Sequence, residues 1–203
     1  MRRTLAPLLI ALVLCVSCTG LARPNSTATQ TPSFEVSEAE YAVYKALIET
    51  MYLTDSRGMI VIRDSTSQGL GLVNTDANEF DYIKKQMPEL DRALWVSFQA
   101  QNTASRPLED RFNLKVPVTL LSQTDFDAFF GKNGKGWDDY YLQYPKSQGI
   151  LDLSRVGFNA KGDRALVYAG NQSYVLAGAG YAILLGLEDG QWKILTQVMV
   201  WIS

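Results

Sequence analysis

The chain has 203 residues, 47% of them hydrophobic and 20% charged, which is the composition of a globular protein and excludes disordered and collagen-like classes. Its 19 basic and 21 acidic side chains give a net charge of −2, without the basic excess that a nucleic-acid binder needs. There is no histidine, and both cysteines, Cys15 and Cys18, fall near the start, so the rest of the chain has no Ser-His-Asp or Cys-His catalysis, no histidine metal site and no internal disulfide.

The chain opens with Met1-Arg2-Arg3 and an apolar run from Leu5 to Val16, interrupted by Pro7. That run is shorter than the roughly 20 apolar residues of a bilayer span and reads as an export signal over residues 1–17. Val16-Ser17-Cys18 resembles the lipobox of bacterial lipoproteins, with Cys15 at the place where that family prefers Leu. The resemblance implies lipid attachment at Cys18, a membrane partner reached through that anchor, and a domain outside the cytoplasm of a bacterial cell. Plain secretion after Gly20-Leu21-Ala22 is the alternative. Cleavage before Cys18 leaves 186 residues of net charge −4, so acyl chains rather than surface charge would hold the protein to a membrane. Residues 18–35 are rich in Ser, Thr, Pro and Asn and read as a tether, about 20 Å as a coil and about 55 Å stretched.

Residues 36–203 read as one α+β domain, N-terminal helices packed on a C-terminal antiparallel β-meander, with the helices on one face. Ser37-Glu38-Ala39-Glu40 has capping-box spacing, and the stripe of Tyr41, Tyr44, Ile48 and Met51 predicts a helix over 37–53. Met59–Ile62 is a short buried strand, followed by breaks at Gly69 and Gly71 and a helix over 76–85. Pro88 suits a first helical position, predicting a third helix to about residue 101. Val116–Leu121 reads as a strand, and Ser122 or Thr124 caps a short helix carrying Phe126, Phe129 and Phe130. After the loop 131–136, Trp137, Tyr140, Tyr141 and Tyr144 share one helical face, and Pro145 ends that helix.

From Ile150 the apolar period becomes two, predicting strands over 150–158, 165–169, 181–187 and 192–202. The turn chemistry of Asn159–Asp163 and Glu188–Gln191 separates members of this group, and such close spacing requires antiparallel pairing. In the last strand Trp192, Ile194, Val198, Val200 and Ile202 are expected on one face.

No motif calls for a cofactor. The Gly131–Gly136 loop has two residues rather than four between its first glycines and no Ser or Thr after Lys135, so it fails the phosphate-loop pattern. Gly178-Ala179-Gly180 fails as a dinucleotide fingerprint, since Ile183 stands at the third glycine, and reads as a hairpin turn. Asp125, Asp127, Asp138 and Asp139 read as solvated helix surface and first-turn dipole partners. The candidate ligand residues are Trp137, Tyr140, Tyr141 and Tyr144, as core or as a stacking platform for a sugar or planar ligand, together with Ser154 and Arg155. Arg155 sits in an apolar strand and needs an acidic partner, either as a structural ion pair or in a cleft that binds a carboxylate or phosphate.

The segment from Trp137 through Tyr144-Pro145, Ser147 and Gly149 to Leu153-Ser154-Arg155-Val156-Gly157-Phe158-Asn159 resembles a family of uncharacterised bacterial, lipoprotein-like proteins. The likeness continues through Gly178, Gly180, Gly190, Trp192 and Trp201-Ile202-Ser203. Some members carry cysteines around 172–179, where this chain has Gln172, Ser173 and Ala177. The resemblance implies fold and location, with no activity. The last strand also looks like the end of cystatin- or NTF2-like domains. The leading expectation is a lipid-anchored, non-enzymatic envelope module that binds a protein, glycan or small ligand. The alternative is a hydrolase or transferase using carboxylates with Arg155 and a Tyr or Ser.

Overall fold

A computed structural model describes residues 34–53, 58–70 and 79–203. The leader, Cys18, nearly all of the tether, Gly71 and the first turn expected at residue 76 lie outside the described residues. The chain is α+β, as the change of period implies. Its elements are α1 (Glu38–Met51), β1 (Ile60–Arg63), α2 (Glu79–Gln86), α3 (Arg92–Gln101), β2 (Val118–Leu121), α4 (Gln123–Phe130) and α5 (Gly136–Gln143). There follow β3 (Ile150–Leu153), β4 (Gly157–Phe158), β5 (Arg164–Tyr174), β6 (Ala177–Glu188) and β7 (Gln191–Ile202).

All seven strands join one sheet in the order β2-β1-β3-β5-β6-β7, with β4 beside β5. β5, β6 and β7 form the expected antiparallel meander, and β3 runs antiparallel to β5. The sheet continues past the meander, because β1 pairs parallel with both β2 and β3. Such parallel neighbours need long crossovers, and α2–α3 and α4–α5 supply them. A sheet this wide offers two faces, and the expectation of helices on one face is corrected. On one face α1 packs Tyr44, Leu47 and Ile48 against Ile62, Leu153, Val167 and Ile183. On the other, α2 and α3 bring Ile83, Leu94 and Phe98 onto Leu166 and Leu184, while α4 and α5 bring Phe129 and Tyr140 onto Val61 and Ile150.

Both halves of the α1 capping box form. α3 begins at Arg92 rather than Pro88, because the Asp91 carboxylate accepts the Leu94 N–H at 2.7 Å and so sets the helix start four residues later. Lys84 fastens the intervening turn by donating to the carbonyls of Pro88 and Leu90. Ser122, not Thr124, caps α4. The β6–β7 turn has positive φ at Asp189 (50°) and Gly190 (76°), the two-residue geometry that matches strand twist.

Two expectations about strands fail for identifiable reasons. β7 does not keep one face, because the ladder skips Leu195 between the pairs Leu185–Ile194 and Leu184–Thr196. That bulge turns the strand over, so Trp192 and Ile194 join the α1 core while Val198 joins the α2–α3 core. The glycines at 170, 178 and 180 also lie within β5 and β6 rather than in a turn, with Gly170 opposite Gly180. A Cβ at Gly180 would fall 2.0 Å from the Trp201 indole nitrogen, so the missing side chains make room for that ring.

Candidate functional site

The predicted strand over 150–158 is interrupted where its polar residues stand. Ser154 donates its N–H to the Tyr168 carbonyl at 3.0 Å, and its Oγ accepts the Tyr168 N–H at 2.8 Å. At Arg155 the Asn102 amide takes the place of a neighbouring strand. Its Oδ1 accepts the Arg155 N–H at 2.8 Å and its Nδ2 donates to the Arg155 carbonyl at 3.0 Å. α3 comes this close because residue 157 is glycine; a Cβ there would lie 2.4 Å from the Phe98 backbone nitrogen.

The Arg155 side chain points into the α1 face and is 1% exposed. Its Nε and Nη2 donate to the two Glu40 carboxylate oxygens at 2.6 and 2.8 Å, and Nη2 also reaches the Glu35 carbonyl at 3.0 Å. Glu40 is the same residue that completes the capping box. It accepts further from the Ser37 N–H, the Ser37 hydroxyl and the Val156 N–H. Burial opposes the guanidinium charge, but the hydrogen bonds and charge of Glu40 outweigh it and hold the Arg155 pKa above its ordinary value. Tyr44 completes the cluster by donating to the Ser154 carbonyl at 2.8 Å, and burial pushes its phenol well up.

This is a buried network built on the Arg155–Glu40 pair. Of the two readings of Arg155, the geometry is that of the structural ion pair, and Ser154 serves the same junction. Neither presents a group to a ligand.

The aromatic helix α5 is likewise turned inward. Trp137, Tyr140 and Tyr144 are buried and Tyr141 is half-buried against the core of α4 and β1. The Tyr140 hydroxyl donates to the Gly149 carbonyl at 2.9 Å and accepts from Ser147 at 3.1 Å. Tyr141 donates to the Ser173 carbonyl at 2.7 Å, tying α5 to the β5–β6 hairpin. Burial raises the pKa of Tyr140 and of Tyr144, so both phenols hold their protons and serve as hydrogen-bonding groups in the core. Asp125 and Asp127 bond within the exposed first turns of α4, and Asp138 and Asp139 occupy the first turn of α5, as expected for surface carboxylates.

What remains open is the end of the molecule where α5 meets that hairpin. A cleft of about 430 Å³ lies between the 131–136 loop and the hairpin. Trp137, Tyr174 and Val175 give it an apolar side, and Lys135, Asp138 and Gln172 a polar one. Tyr174 stacks on Trp137 with ring centroids 6.2 Å apart and planes 29° apart. The hairpin tip then exposes Val175 and Leu176, the latter 80% accessible.

Of the residues expected to bind, only Trp137 reaches this cleft. Tyr174, Val175 and Gln172 were missed, although a Tyr-Val-Leu run at a hairpin tip, where Gly, Asn or Asp is usual, is itself a signal. Among the described residues there is no cluster of metal-ligating side chains and no helix long and apolar enough to cross a membrane. No family model, curated protein or solved structure matches the chain.

Proposed function

We propose that the protein is a lipid-anchored, non-enzymatic binding module of the bacterial cell envelope, tethered through Cys18, and that its contact surface is the cleft and hairpin tip at Trp137, Tyr174, Val175 and Leu176. The observation that carries the reading is the aromatic-lined cleft beside three successive exposed apolar side chains, on a domain whose other aromatic groups are largely buried. Ligand sites combine an apolar wall with a few polar groups, and Lys135, Asp138 and Gln172 supply the latter.

The described chain starts away from the cleft. Glu35, next to where the described chain begins, contacts Arg155 at one end of the β3–β5 pair, while the hairpin lies beyond the other end, past the pair Ile150–Gln172. About 20 Å or more of strand separates them. A tether attached at that end would leave the cleft open to a partner. The enzymatic alternative loses its centrepiece, since Arg155 meets Glu40 inside the fold and both are buried.

A photo-crosslinking residue placed at Val175 in intact cells tests the reading, with Lys45 on α1 as the control position. The expected outcome is a discrete adduct at Val175 and none at Lys45. Equal labelling at both positions, or no adduct at Val175, refutes the assigned surface.

A further inference from the structure

One row of residues crosses four strands. Asp152 of β3 pairs with Gly170 of β5, Gly170 with Gly180 of β6, and Gly180 with Trp201 of β7. The Trp201 side chain folds back along this row. A Cβ on Gly180 would meet its pyrrole ring at 2.0 Å, one on Gly178 its benzo ring at 3.0 Å, and one on Gly170 the same ring at 3.3 Å. The indole therefore lies along the glycines at 180 and 178, and at Gly170 its benzo edge meets the Tyr168 hydroxyl, which is the nearer group there at 2.4 Å and faces the Asp152 charge. Its nitrogen donates to the Tyr168 hydroxyl at 2.9 Å, which fixes the ring's rotation. Trp201 is half-buried, so part of the ring remains accessible.

Asp152 stands one strand spacing, about 4.8 Å, from Gly170. Its carboxylate is partly desolvated and accepts no hydrogen bond from any described side chain; Arg63, next in register opposite it on β1, acts on it through charge, while its guanidinium lies over Phe126 and donates to Gln123. A flat aromatic face, locked in orientation, beside a carboxylate with free acceptor capacity is the arrangement that recognises a sugar ring. The C–H face of a pyranose stacks on the indole, and its hydroxyl groups donate to the acid. A planar aromatic ligand would use the ring but leave Asp152 without donors.

We infer that the Trp201 indole, with Asp152 beside it, is a platform for a pyranose unit of an uncharged glycan. The inference rests on the reading of the protein as an envelope binding module and names a ligand class for it. The platform borders the cleft through the Gln172–Gly178 pair, so an oligosaccharide on Trp201 extends toward Tyr174.

The test titrates the full chain, as purified from cells, with chito-, cello- and manno-oligosaccharides by calorimetry and by indole N–H resonances in NMR, the Trp201 peak being assigned from Trp201→Phe. The expected result is binding to at least one of them that shifts the Trp201 peak. Trp201→Ala weakens binding at least tenfold, Trp201→Phe weakens it less, and Asp152→Asn weakens it several-fold with an unchanged far-UV spectrum. No binding to any of the three, or binding that leaves both the Trp201 resonance and the Asp152→Asn affinity unaltered, overturns the inference. Binding lost in Tyr174→Ala but intact in Trp201→Ala leaves the cleft standing and removes the platform. Sugar binding through Trp201 with no adduct at Val175 does the reverse.

Discussion

Glu40 is the group whose loss the fold should tolerate least. Glu40→Ala removes five accepted hydrogen bonds at once: two from the Arg155 guanidinium, one from the Val156 N–H and two from Ser37. The guanidinium left behind is 1% exposed and has lost both carboxylate oxygens that face it. Stranding a buried charge costs about 3–5 kcal/mol, and the lost half of the capping box adds about 0.5–1 kcal/mol. For a domain of this size each kcal/mol moves the melting midpoint by about 2–4 °C, so a fall of about 10 °C or more is expected. Urea unfolding of the single variants Glu40→Leu and Arg155→Met and of the double variant gives the coupling directly. Each single change is strongly destabilising, whereas the double change, which removes both charges from an apolar surround, recovers most of the loss. Additive losses, or a Glu40→Ala cost under about 1 kcal/mol, would refute the argument that this pair organises the junction of α1, β3 and α3.

Other expectations follow from the same contacts. Asn102→Ala leaves the Arg155 N–H without its acceptor, while the Arg155 carbonyl keeps the Ser154 hydroxyl as donor, and should cost about 1–3 kcal/mol in denaturant unfolding, against little change for Gln99→Ala on the exposed side of α3. Gly157→Ala places a Cβ 2.4 Å from the Phe98 backbone nitrogen, which only a shift of α3 relieves; a loss of about 1–3 kcal/mol should appear as a lower thermal midpoint. Burial raises the Asp152 pKa in the folded protein, so the folded state binds more protons than the unfolded one between the ordinary value of 3.8 and the raised value. Its contribution is favourable below that window and is lost as pH rises through it. Asp152→Asn should therefore stabilise the protein at neutral pH and give no gain near pH 3, checked by melts across that range.

The sequence made the elements legible wherever the signal was local. The capping box at Ser37–Glu40, the turn at Asp189-Gly190 and the change of period near Ile150 each follow from neighbours in the chain, and each forms. What depended on distant residues stayed hidden. Glu40 announced itself as a cap, but nothing in its neighbourhood says that it also holds Arg155, 115 positions away. The Leu195 bulge cannot be seen in an alternation pattern, because an inserted residue swaps the two faces without changing which residues are apolar. The glycines at 178 and 180 argue for a turn until Trp201 is known to lie over them.

The same limit applied to binding. The aromatic stripe of α5 and the Ser154–Arg155 pair were conspicuous because they broke a pattern, and folding uses both in its interior. The exposed surface came instead from Tyr174-Val175-Leu176, whose significance rests on where the hairpin places it relative to Trp137.

The claim on which the proposed role depends most is that the sulfur of Cys18 carries lipid and is the first residue of the mature chain. Intact mass spectrometry of the protein from the membrane fraction decides it. The account predicts a species running from Cys18 to Ser203 with the added mass of acyl chains, absent when Cys18 is changed to Ala. A mature chain of unmodified mass, whether it begins at Met1 or at Arg23, would contradict it.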